Sequence, residues 1–274
     1  MGSGAGGVRR PSAAHAPYGI PVGQRASRMN EPSLDDLNQE LAAIPPVSYP
    51  LEETEEAAFE HSVRMGQVTA ICCEAFRRRG LHAVLVGGGV IEFVLPGAYT
   101  TPDIDLVVSR RSLKPPRSLV DAVFRDIGFT PNGARHWVRD GWFVEVPDWD
   151  ITDPTTTVVV NGHELEMVLP EVVLIGRLVE FDQTGHTGHA TQALLMLSVL
   201  DDIDEAALAR LAAQERVEDF LAFFRELAAS PERPAIDDAF LRSKRDEILQ
   251  ERQRVAAERR TQREGGGQGA GPAG

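Results

Sequence analysis

The order of elements in the sequence predicts an α/β or α+β core followed by a helical C-terminal region. Two observations carry that prediction. Short apolar strands and amphipathic helices are mixed up to Pro170, with hairpin turns signalled at "RDG" and at Asn161-Gly162. Beyond Pro170 the apolar residues recur with helical spacing alone.

Residues 1–33 are rich in Gly, Ala, Ser, Pro and Arg without periodicity, and are predicted to form a disordered N-terminal extension. Met29, opening "MNEPSLDDLNQEL", is a candidate start of the native chain. The core is placed at 34–170. It begins with a short helix at 35–44 and the proline-punctuated "IPPVSYP". A long helix is predicted from Glu55 to Arg79, with Phe59, Val63, Ile71 and Phe76 on one stripe and Gly80 ending it. A strand "HAVLV", a turn at Gly87-Gly88-Gly89, a short helix in "VIEFVL" and a strand "DIDLVV" follow. Residues 117–127 read as an amphipathic helix. The strands "RHWV" and "WFVEV" and the hairpin "TTTVVV"/"HELEMV" complete the core. Helices at 171–182 and 189–199, with two more in 204–228, form a C-terminal helical region, 171–240. Residues 241–274 are predicted to be a charged helix fading into a flexible tail.

Composition narrows the function classes. The 274 residues are 42% apolar and 25% charged, an ordinary globular balance. No apolar run approaches the ~20 residues that cross a bilayer, and the N-terminus has no compact hydrophobic signal. Cys72 and Cys73 are adjacent in a helix, where side chains point about 100° apart, so they do not form a structural disulfide. These features predict a cytoplasmic protein. Net charge is −13, yet 1–28 holds four arginines and no acid, and 242–264 holds eight bases against five acids. The body between them is therefore more acidic than the chain as a whole. That disfavours non-specific nucleic-acid binding, which phosphate attraction dominates, and suits metal-dependent chemistry.

Three carboxylates stand out. Strand side chains alternate, so Asp103 and Asp105 point one way and Ile104 the other. Two parallel carboxylates repel unless a cation lies between them, and oxygen ligands of this kind suit Mg²⁺ or Mn²⁺. On its own, an Asp-X-Asp is as readily a strand end reaching into water. Upstream, Gly87 and Gly88 sit between a strand and a helix, where backbone N–H groups approach an anion closely; a tight turn asks for the same glycines. Downstream, Glu145 in "FVEVP" faces away from its flanking valines and supplies a third acid. Three carboxylates can bridge two metals, one escorting a triphosphate and one activating a hydroxyl.

Gly-Gly, a short helix, Asp-X-Asp on a strand and a later lone acid resemble the DNA polymerase β-type nucleotidyltransferase superfamily. The chain is most similar there to small bacterial nucleotidyltransferase-like proteins, including the toxins of abortive-infection toxin–antitoxin pairs. Their "GG…T-x-D-I-D-L" appears here as Gly87, Gly88, Thr101, Asp103, Ile104, Asp105 and Leu106. The likeness covers roughly 55–200. It implies an α+β nucleotidyltransferase fold, a small mixed β-sheet flanked by helices with a C-terminal helical region. It also implies transfer of a nucleoside monophosphate from an NTP, such as ATP, to an acceptor hydroxyl on a protein, tRNA or small molecule, and an antitoxin as a partner. Asp103 and Asp105 would ligate metal; Glu145 would bind the second metal or activate the acceptor. Gly87 and Gly88 would hold the β- and γ-phosphates, with Thr101 in the same nucleotide-binding motif. Arg177 stands where relatives carry a lysine, and can neutralise phosphate or pair with Glu171 or Glu180. The chain departs from the pattern at Tyr99-Thr100, where relatives place a base.

Other features read more plainly. His186 and His189 each follow a glycine, Gly185 and Gly188, which predict a loop, and they are too few ligands for structural zinc. Trp137, Trp142 and Trp149 flank the Glu145 strand, and packing is expected for at least two of them. "FRRRG" reads as a helix C-terminus. A non-catalytic NTP-binding or regulatory module is the alternative function, and a sugar-nucleotide glycosyltransferase a third.

Overall fold

A computed structural model describes residues 31–49, 51, 54–111, 113–230 and 236–266. The N-terminal extension up to residue 30, with Met29, and the tail past 266 lie outside the described residues. The chain divides into two compact units, Met1–Val173 and Leu174–Gly274.

In the first unit, α1 (Leu34–Ala43) opens on a capping box in which Ser33 and Asp36 satisfy each other's backbone N–H groups. Next, α2 (Glu55–Arg78) is capped by the Thr54 hydroxyl, with Glu55 and Glu56 in its first turn and Arg77 and Arg78 in its last. Its buried face is made by Met65, Val68, Ile71, Cys72 and Phe76. Phe59 does not join that stripe as expected. It lies in the solvent-facing first turns and is 47% exposed.

The strands are β1 (His82–Val86), β2 (Asp103–Ser109), β3 (Thr130–Pro131), β4 (His136–Arg139), β5 (Trp142–Glu145), β6 (Thr155–Val160) and β7 (His163–Val168). They form one sheet in the order β3-β4-β5-β2-β1-β7-β6. It is mixed: β2 runs parallel to β5 and β1 parallel to β7, while β1 and β2 are antiparallel. The fold is thus the α+β arrangement anticipated from the sequence. Between β1 and β2 lies α3 (Gly87–Val94), and between β2 and β3 lies α4 (Arg117–Asp126). The three glycines are therefore not a turn ahead of a helix but its first turn. Phe76 of α2 meets Phe124 of α4 edge-on at 5.0 Å, and Phe124 stacks on the buried Trp137 of β4 at 4.5 Å. This aromatic ladder fastens both helices to the sheet.

The second unit is helical. It takes most of α5 (Pro170–Thr184), then α6 (Thr187–Val199), α7 (Glu205–Glu215), α8 (Glu218–Ala229) and α9 (Asp238–Gly266). Phe181, Phe220 and Phe224 form its centre. Arg252 of α9 lies over the Phe220 ring and bonds Asp182, Asp219 and the carbonyl of Arg216. The expected loop at 185–189 is shorter than the glycines suggested. Gly188 and His189 lie in the first turn of α6, and His189 pairs with Glu180 at 2.9 Å. No described helix is long and apolar enough to cross a membrane.

Candidate metal centre

Strand register brings the predicted acids together. Asp105 is opposite Glu145 in the parallel β2–β5 pair, so the two share a face of the sheet. Asp103, two residues earlier, shares it too. Each of Asp103, Asp105 and Glu145 is half-buried, and one oxygen from each lies within 4.8 Å of the others. Three hard oxygens this close can coordinate a divalent cation of the Mg²⁺ or Mn²⁺ kind.

The glycines reach the same place. Val86 is the register partner of Asp105 across β1–β2, so Gly87 emerges beside that carboxylate. Gly87 has φ +63°, and a Cβ there would lie 2.7 Å from Asp105 Oδ2. Both the backbone angle and the close approach demand glycine. At Gly88 a Cβ would press on the Thr101 hydroxyl at 3.2 Å and the Tyr99 hydroxyl at 3.3 Å. Thr101 donates its hydroxyl to Asp103 Oδ1 at 3.0 Å. Six of the seven predicted site residues thus converge. Arg177 belongs to the second unit, and the centre described here is built from the first unit alone. Glu180 pairs with His189 rather than Arg177, whose buried Nε has no hydrogen-bond partner.

Glu145 is not acidic space alone. Arg135 Nε lies 3.5 Å from one of its oxygens, and His136 Nε2 lies 3.2 Å from the other. The Arg135 guanidinium and the His136 ring hold the carboxylate in place and hem in its outer side.

Behind the acids is a polar network that the sequence reading did not single out. Glu92, fully buried in the apolar α3, accepts from His61 Nδ1 at 2.6 Å, the Ser62 hydroxyl at 3.1 Å and the Thr101 backbone N–H at 2.6 Å. Burying a carboxylate without such donors would cost several kcal/mol. His61 Nε2 lies 2.8 Å from the Tyr49 hydroxyl oxygen, and that hydroxyl donates its one proton to the Thr101 carbonyl at 3.2 Å. Burial, with Glu92 and Asp103 nearby, holds the Tyr49 phenol well above its usual range, so it remains protonated. His61 in turn stacks on Trp142, 5.2 Å away. Both polar groups of the Thr101 backbone are gripped in this way, and Thr101 grips Asp103. The available signal was a lone acid inside "GGGVIEFV", a position that a helix of that composition fills with charge only at a cost.

No family model matches the chain, and no curated protein does. Among solved structures, an antigenic nucleotidyltransferase-like protein from Paracoccidioides brasiliensis is similar to it. The likeness is weak and partial: 13% identity and a TM-score of 0.39, over 59% of this chain and 92% of that one. The Trp expectation holds for Trp137 and Trp142, which are buried; Trp149 is half-exposed.

Proposed function

We propose that the protein is a metal-dependent nucleotidyltransferase, moving a nucleoside monophosphate from an NTP to an acceptor hydroxyl. The observation that carries this reading is the meeting of Asp103, Asp105 and Glu145 on one face, with Gly87 against Asp105. Asp103 and Asp105 would hold the metal, which when bound neutralises triphosphate charge and polarises the reacting phosphoryl group. The backbone at Gly87-Gly88 would approach the β- and γ-phosphates. In the transfer, the acceptor oxygen bonds the α-phosphorus as the α–β bridging P–O bond breaks. Pyrophosphate leaves with that electron pair, and the hydroxyl proton passes to Glu145. Thr101 keeps Asp103 oriented through the step. A role as the toxin of a toxin–antitoxin pair falls within this reading and rests on the sequence resemblance.

The test is incubation of the full chain with each labelled NTP and Mg²⁺ or Mn²⁺, against separated RNA, protein and metabolite pools. Label should enter one pool, and Asp103→Asn or Asp105→Asn should abolish its entry without changing the circular dichroism spectrum. Undiminished transfer in both variants would end the proposal. A second reading, a non-catalytic NTP-binding module, is favoured by one observation: both oxygens of Glu145 already face side-chain nitrogens, those of Arg135 and His136. Calorimetric binding of Mg²⁺–NTP with no pyrophosphate release, whatever acceptor is supplied, would select it.

A further inference from the structure

A concavity in the same unit as the metal centre runs against the charge of the molecule, on the α4 side of the sheet, which Val108 and Trp137 face while Asp105 and Glu145 face the other side. It is a cleft of about 270 Å³ between the start of α4 and the chain following β5. Val108, Val120, Val146 and the buried Trp137 lie beneath it, and Pro115, Pro147 and Trp149 wall it. Three cations, Lys114, Arg117 and Arg135, stand at its rim against a single acid, Asp148. Asp148 Oδ1 accepts the Trp149 backbone N–H at 2.7 Å. Arg117 is already shaped for a flat ligand, lying over the Trp137 ring at 4.3 Å and held by Asp121 and the Gly133 carbonyl. Lys114 has no ion-pair partner among the described residues. In a chain of net charge −13, three cations over an apolar, tryptophan-walled cleft are complementary to an anion on a ring-bearing body.

The cleft is joined to the carboxylates by one side chain. Arg135 lines it, donates to the Pro147 carbonyl at 3.4 Å, and lies 3.5 Å from Glu145 Oε1. We propose that this cleft binds a small ring-bearing molecule carrying a phosphate or a carboxylate. The inference does not rest on the transferase reading. The volume suits a small molecule, and the acidic body opposes a polyanion.

The experiment uses the full chain in EDTA without NTP, so that neither metal nor triphosphate contributes. Phenyl phosphate, benzoate and neutral phenol are titrated, followed by tryptophan fluorescence and ligand-observed NMR. Saturable binding of one or both anions is expected, with phenol at least about tenfold weaker. The comparison of phenyl phosphate with benzoate identifies the anion. Lys114→Ala should weaken anion binding roughly tenfold, and Trp149→Leu should weaken it further by NMR, while Asp103→Asn leaves it unchanged. Equal binding of phenol, an unaltered affinity in Lys114→Ala, or loss of binding in Asp103→Asn would overturn the assignment. So would a single-stranded oligonucleotide that displaces phenyl phosphate at lower concentration than any small anion. Anion binding that persists in a protein shown to transfer no label would leave the anion site standing and remove the transferase reading.

Discussion

Thr101 is held from both ends of its backbone, its N–H by Glu92 and its carbonyl by Tyr49, and this leaves its hydroxyl fixed on Asp103. A partner that orients a metal-ligating carboxylate typically changes metal affinity 10–100-fold when removed. Thr101→Val should therefore weaken Mn²⁺ binding by roughly 10–100-fold in calorimetry, with the melting temperature little changed and Thr101→Ser restoring affinity. If Val and Ser bind Mn²⁺ alike, the hydroxyl does not position Asp103. Glu92→Ala removes the acid but strands the buried His61 pair, so a stability loss of roughly 3–5 kcal/mol is expected instead. His189 offers a different test at this scale. Burial lowers its imidazole pKa, Arg177 and His186 lower it further, and Glu180 partly opposes them. With the folded value below the unfolded one, the unfolded chain binds the proton more readily. Stability is then complete above the unfolded pKa and declines as pH falls through it toward the folded value. His189→Gln should flatten that acid limb in urea titrations at stepped pH; an unchanged slope would remove His189 as its source.

At the scale of elements, two hairpins provide a matched comparison. Asp140-Gly141 joins β4 to β5 and Asn161-Gly162 joins β6 to β7, and all four residues have positive φ, the geometry that right-twisted strands favour. Their surroundings differ. A Cβ at Gly162 would meet nothing within 4 Å, whereas one at Gly141 would lie 1.9 Å from the Val47 carbonyl oxygen. Val47 also donates its N–H to the Asp140 carbonyl, and Tyr49 follows two residues later. Gly162→Ala should cost about 1–2 kcal/mol from backbone strain, and Gly141→Ala should cost more while loosening the Tyr49 anchor on Thr101. Equal melting shifts in the two variants would show that the Val47 segment moves aside freely. The same comparison shows what could be read from the sequence. "RDG" and "NG" announce their turns through local backbone chemistry, and Asp103 with Asp105 announce a shared face through strand alternation. The pairing of β2 with β1, from Val86 with Asp105 to His82 with Ser109, and with β5, as in Asp105 with Glu145, joins residues far apart in the chain, which no local pattern encodes. It is that register that sets Glu145 opposite Asp105 and Gly87 against it. The pairing of Glu92 with His61 was illegible for the same reason, since each explains the other only once α2 and α3 are packed. Phe59 failed the helical stripe because the first turns of α2 extend beyond the core.

For the molecule as a whole, Cys72 and Cys73 measure the integrity of the first unit. Both lie in α2, the helix that touches α1, α3, α4 and the sheet, and both are buried. Burial pushes both thiols up, Cys73 to about 12, with Glu166 and the neighbouring Glu74 adding to the shift there. The reactive form of cysteine is the thiolate, and at pH 8 a thiol with that pKa supplies only about 10⁻⁴ of it. In native protein at pH 8 neither cysteine should be modified by a disulfide reagent on a timescale of minutes, and both should react once denaturant opens the unit. The linkage has a definite sign. A folded pKa above the unfolded one means the folded chain keeps protons the unfolded chain releases. The stabilisation is then whole below the unfolded thiol value and lost as pH rises toward 12. Unfolding free energy should therefore fall on the alkaline side of about pH 9, and Cys73→Ala should flatten that fall. Stoichiometric labelling of the native chain, or an alkaline limb identical in Cys73→Ala, would mean that α2 is not the sealed centre of the first unit. The segment that fixes Thr101 through His61 would then have no rigid support.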